Sequence, residues 1–174
     1  MFSSVGIDLT ERVYRGSLYK TGRRIDNIVV HCSFSPQGRG DDAHTIDRWH
    51  IERWGTGIGY HYVVLEDGTI QKGRWVDYPG AHVKGHNSYT IGVCRIGGMD
   101  EFGNEIEDCT PDQDRSIVVL SSLLINMYNL RVDDVLGHYE FPEVHKSCPL
   151  CDMGWIRSEI ENFDVEDMIH SGKV

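Results

Sequence analysis

The order in which strand-like and helix-like stretches follow one another is the strongest constraint on what this chain can fold into. Asn27-Ile-Val-Val-His-Cys32 is a short β-branched run of the kind that forms a buried strand. His44 to Trp54 then carries Ile46, Trp49 and Arg53 at helical spacing behind the capping pair Asp41-Asp42. Tyr60-His-Tyr-Val-Val-Leu65 and Thr69-Ile-Gln-Lys-Gly-Arg74 flank Glu66-Asp-Gly68, where Asp-Gly supplies the positive φ of a tight turn, so a hairpin is predicted. Tyr89 to Ile96 is a further strand, stopped by Gly97-Gly98. Thr110-Pro-Asp-Gln113 provides an N-cap, a proline at the first helical position and a glutamine three residues after the cap. Behind it Ile117, Leu120, Leu124 and Met127 mark one buried helical face. A short strand at Val135-Leu136, an irregular loop through Pro149 and a last helix with Ile156, Ile160 and Phe163 complete the series. This alternation predicts an α/β fold, a mixed central sheet flanked by helices.

A chain of 174 residues suits one compact domain. Residues 1–24 are polar and weakly periodic and are expected to form an N-terminal arm, with the folded domain over 25–163 and a tail over 164–174. The 27 acidic residues against 17 Lys and Arg give a net charge of −10, which weighs against a sequence-blind nucleic-acid binder and against adsorption to anionic lipid. Acids interrupt the N-terminal stretch where a signal peptide needs an apolar core, and no later stretch approaches the ~18 apolar residues of a membrane span. The expectation is a monomer made in the cytoplasm and not inserted in a membrane. Five cysteines, an odd number, speak against a disulfide framework and for thiolate chemistry.

Nine histidines raise the question of which converge. His31 lies near the C-terminal end of the first strand, where its imidazole is a metal ligand, a catalytic base or a hydrogen-bonded core residue. Gly137-His-Tyr-Glu-Phe-Pro-Glu-Val-His-Lys-Ser-Cys-Pro149 sets His138 just after a short strand and Cys148 ten positions on, across a loop that can fold back. A His, His, Cys set leaves a fourth tetrahedral position open, the layout of a catalytic zinc site suited to amide hydrolysis. His145 is an alternative to His138 as ligand or a residue that orients one. Cys148-Pro-Leu-Cys151 also permits a redox pair or half a zinc ribbon, although no second pair completes a ribbon. A cysteine peptidase with Cys148 as nucleophile and His138 as base is a further alternative. A glycosidase needs two carboxylates across a groove, and no acidic pair stands out by context.

Val30-His31, Gly59-Tyr-His-Tyr62, Asp67-Gly-Thr69, Gly80-Ala-His82, Asn87 with Ile91-Gly-Val93, and Gly137-His138 with Lys146-Ser-Cys-Pro149 occur in the order seen in zinc-dependent N-acetylmuramoyl-L-alanine amidases. Over about residues 26 to 160 the chain resembles the compact phage lysozyme amidases and, more distantly, the peptidoglycan-recognition proteins. The resemblance implies one zinc ion held by His31, His138 and Cys148, Tyr60 beside the metal-bound water, and Lys146 as a cation close to the scissile carbonyl. It implies His82 and Asn87 at the border of the substrate groove. Tyr139 stands where the phage amidases often carry a second histidine. His61, next to Tyr60 on a strand, is expected to face the other way in a packed role. His44, His50, His86 and His170 have no pattern that raises them above surface residues.

The resemblance further implies cleavage of the bond between N-acetylmuramic acid and L-alanine in peptidoglycan. The expected role is a phage endolysin released through a holin-type pore, with an amidase that recycles muropeptides, an exported effector or a recognition module that binds peptidoglycan without cleaving it as alternatives. The acidic surface and the arm also leave room for an intracellular protein partner.

Overall fold

The computed structural model describes Leu18 and residues 20–164, so most of the predicted arm and nearly all of the predicted tail lie outside the described residues. Five strands form one mixed sheet: β1 (Asn27–Cys32), β2 (Tyr62–Val64), β3 (Ile70–Lys72), β4 (Thr90–Arg95) and β5 (Val135–Gly137). Their spatial order is β3-β2-β4-β1-β5. The β-branched run β1 sits between β4 and β5, parallel to both, while β2 is parallel to β4 and antiparallel to β3. The hairpin strands are shorter than the sequence predicts, yet their pairing continues, since Gly73 N–H and Arg74 N–H donate to the carbonyls of His61 and Tyr60.

The helices are α1 (Ala43–Trp54), α2 (Pro111–Tyr128) and α3 (Met153–Glu161). Asp42 caps α1 by accepting from Thr45 N–H, and Gly55, at φ 70°, ends it. The expected capping box at Thr110 and Gln113 is formed, with Pro111 in the first turn. The buried face of α2 is wider than the apolar spacing indicates, because Gln113, Ser116 and Ser122 are also buried. Each gives its polar hydrogen to a carbonyl: Gln113 Nε2 to Ile96 O (2.7 Å), Ser116 Oγ to Gly68 O (2.6 Å) and Ser122 Oγ to Val118 O (2.8 Å).

Strand alternation divides the core in two. Ile28, Val30, Tyr62, Val64, Ile91 and Val93 pack with α2 and α3, whereas Val63 and Cys94 pack with Ala43 and Ile46 of α1 on the other side. His31 alternates with Val30 and so leaves the α2 and α3 face. The four mutually parallel strands end at one edge, the place where open α/β sheets bind ligands. Among the described residues no helix is long and apolar enough to cross a membrane.

Candidate metal centre

The register of β1 against β5 builds the site. Val30 pairs with Gly137, so the next residues, His31 and His138, emerge side by side with ring centroids 4.5 Å apart. The loop after His138 folds back, and Tyr139 N–H donates to Cys148 O at 2.9 Å. Two anchors hold its end. Cys32 N–H donates to Cys148 Sγ at 3.2 Å. Arg95, fully buried, donates to Pro149 O (3.1 Å) and Leu150 O (2.8 Å) while paired with Asp108 (2.7 Å).

The result is one ligand atom each from His31, His138 and Cys148, all within 4.8 Å of one another. His31 Nδ1 and Cys148 Sγ are 3.9 Å apart. Donors about 2.0–2.3 Å from a shared tetrahedral zinc are about 3.5 Å apart, so the spacing suits such an ion. His31 and Cys148 are 1% and 2% exposed and His138 is half-buried, which leaves the His138 side as the approach.

The protonation chemistry also fits a metal. Burial holds the His31 pKa well below the usual imidazole range, helped by His82, His138 and the Lys146 ammonium. Burial and Lys146 lower His138 as well. Both rings are thus neutral near pH 7, as ligands must be. Contact with the Cys32 thiol, then burial, pushes the Cys148 thiol up, so a bound cation is what would make it a thiolate. Cys151 faces Cys109 instead. The two sulfurs of the C-x-x-C therefore have different partners, which disfavours a redox pair.

Lys146 is exposed on the loop, close enough for its charge to act on both histidines. The Tyr60 ring lies 5.1 Å from His31, and its hydroxyl pairs with the buried Cys94 thiol, near Cys148 and Cys32. His82 is held by contacts within the fold. Its Nδ1 is 2.9 Å from His31 Nε2 and its Nε2 is 3.3 Å from Thr90 Oγ1, so both nitrogens are engaged inside the fold. Asn87 Oδ1 accepts the backbone N–H groups of His82 and Val83, at 2.9 and 3.0 Å, and so holds that loop. His145 is exposed and outside the three-residue group. His61 is packed as expected, accepting from Gly92 N–H and bonded to Tyr78 O.

Over residues 21–151 the sequence matches the family model described as N-acetylmuramoyl-L-alanine amidase. The chain belongs to that family. This amidase is 36% identical over 140 residues to the endolysin of Klebsiella phage KP32, covering 79% of this chain and 89% of that one. It is 33% identical over 148 residues to the endolysin of Escherichia phage T7, covering 84% and 95%. Among solved structures it is similar to the endolysine N-acetylmuramoyl-L-alanine amidase LysCS from Clostridium intestinale URNW, with a TM-score of 0.68, 29% identity, and 80% and 85% of the two chains covered. The amidase is thus a peptidoglycan hydrolase.

Sequence reasoning missed three residues that pack around the His31, His138 and Cys148 cluster or hold its surroundings. Arg95 is a charge at the end of an otherwise apolar strand, a signal that it needs a buried partner. Thr90 shows no sequence signal beyond its place before Ile91-Gly-Val93. His50, read as a surface residue, is buried, with Nδ1 accepting Gly59 N–H at 2.9 Å and its ring 5.4 Å from Tyr60.

Proposed function

We propose that this amidase is a zinc-dependent phage endolysin in which His31, His138 and Cys148 hold the ion, within a catalytic domain spanning residues 25–163. The convergence of their three ligand atoms within 4.8 Å supports this most strongly. Three protein ligands would leave the ion able to take a water as well, as catalytic zinc sites do. Zinc, when bound, supplies an acidified water and polarises the carbonyl of the bond between the lactyl group and L-alanine.

The chain's own residues do the remaining work. Cys32 N–H steadies Cys148 Sγ by a hydrogen bond that strengthens when the sulfur is charged. The Lys146 ammonium neutralises the negative charge that grows on the lactyl carbonyl oxygen as water adds. Tyr60 walls the site beside His31, and burial keeps its hydroxyl protonated. Its assistance in the reaction means exchanging Cys94 for the reacting oxygen as hydrogen-bond partner. The amidase acts as a monomer on cell-wall peptidoglycan, which it reaches through a holin-type pore.

Replacing Cys148 by Ser should lower zinc content and lysis of purified sacculi together. Full activity in a metal-free variant would overturn the mechanism. Preference for soluble anhydro-muropeptides over intact sacculi would make the protein a recycling enzyme instead.

A further inference from the structure

An imidazole ligand has two nitrogens, and it binds a metal only through the one that carries no proton. In His31 the two nitrogens meet different surroundings. Nδ1 looks toward Cys148 Sγ, while Nε2 meets His82 Nδ1 at 2.9 Å. One of those two facing nitrogens must donate. Beyond His82 the contacts run on from Nε2 to Thr90 Oγ1 at 3.3 Å, and from Thr90 Oγ1 to the backbone carbonyl of His86 at 3.0 Å. A carbonyl only accepts, so the end of the chain sets its polarity. Thr90 gives its proton to His86 O, His82 Nε2–H donates to the Thr90 oxygen, and His31 Nε2–H donates to His82 Nδ1. The nitrogen of His31 left bare is Nδ1, on the side of Cys148 and His138.

The ring of His82 has little room to move. A Cβ at Gly92 would come within 2.7 Å of it and one at Gly80 within 2.3 Å, so both positions give the ring its slot. Its ring stands edge-on to His31 at 4.9 Å between centroids, and Asn87 holds its backbone N–H.

We propose that His82 and Thr90 are positioning residues that fix the tautomer and ring orientation of His31, presenting a bare Nδ1 to the metal. This rests on the zinc reading above. The proposal gives both residues a place behind the metal, where outer hydrogen bonds orient a ligand and raise its basicity.

Zinc affinity of the full chain, measured by competition with a chromogenic chelator, tests it. His82→Phe fills the slot without an acceptor and should weaken zinc binding about 10–100-fold. His82→Asn places an amide oxygen near the Nδ1 position and should retain most of the affinity, although it packs less well. Thr90→Val should weaken binding and Thr90→Ser should not. A role in packing alone predicts the reverse order, with Phe better than Asn. Wild-type affinity in His82→Phe, or equal loss in Phe and Asn, would overturn the proposal. Should the variants fold poorly, nitrogen and carbon shifts of the His31 ring in the zinc-stripped wild-type chain decide it. The proton is expected on Nε2, and a proton on Nδ1 would overturn the relay. Failure of the zinc reading looks different: the wild-type chain would bind no zinc while the His31 proton still sat on Nε2.

Discussion

Arg95→Met is the most demanding test of how the fold holds the loop that carries Cys148. Arg95 is 0% exposed and joins three segments: β4, the loop through Asp108, and Pro149-Leu150 directly after Cys148. Methionine keeps the bulk and removes the charge and every donor. Removing one partner of a buried pair costs about 3–5 kcal/mol, because the other is left uncompensated. Asp108 keeps its hydrogen bond from Gly98 N–H and its side chain is 14% exposed, which moves the cost toward the lower end. The carbonyls of Pro149 and Leu150 also lose donors, at up to about 1–3 kcal/mol for a fully buried group. A total of about 4 kcal/mol is a large part of the roughly 5–15 kcal/mol that stabilises a domain. For a chain of this size it corresponds to a fall in Tm of roughly 8–16 °C. Urea unfolding followed by tryptophan fluorescence gives the free energy, and zinc affinity should fall in the same variant as Cys148 loses its anchor. Combining Arg95→Met with Asp108→Leu should recover much of the stability, since the stranded carboxylate is then gone. A loss below about 0.5 kcal/mol in the single variant, the range of an ordinary surface change, would refute the anchoring role.

Lys146→Met should reduce the rate of sacculus lysis by about 10²–10³, the scale for loss of one group that stabilises an oxyanion, with zinc content unchanged. An unchanged rate would remove Lys146 from the reaction. Stability should also depend on pH through His50 and His61, both of which burial pushes down to about 4. The unfolded chain takes up these protons near pH 6.5 and the folded chain does not, so their stabilising effect is complete above about 6.5 and lost progressively toward 4. Tm measured across that window should fall with pH, and a flat profile would contradict the burial of the two rings.

Most of the element order was legible because each piece carries a local signal. The β-branched run of β1, the Asp42 cap, the Asp67-Gly68 turn and the Thr110 capping box act within a few residues of chain, and all appear where the sequence predicts. His31, His138 and Cys148 were singled out by the family resemblance, and the structure brings their ligand atoms within 4.8 Å of one another. Their approach to one another depends on the pairing of Val30 with Gly137, a contact between residues 107 positions apart in the chain (137 − 30) that no local pattern encodes. The direction of His82 was not legible either. It sits in an irregular stretch, Pro79 to Gly85, where strand or helix periodicity gives no facing, and its ring is aimed by glycines from two separate segments. Arg95 and His50 escaped for a related reason. A charged or polar residue in a strand or helix reads as exposed unless the partner that buries it is known, and Asp108 and Gly59 come from separate loops.

Zinc on His31, His138 and Cys148 is proposed to drive cleavage between N-acetylmuramic acid and L-alanine. The most direct measurement is the number of new L-alanine amino groups that appear in purified sacculi treated with the zinc-stripped chain, before and after one equivalent of zinc is restored. None is expected before, a steady rise after, and no new reducing ends at either stage. Amino groups released at full rate by the stripped chain, or reducing ends in their place, would contradict it.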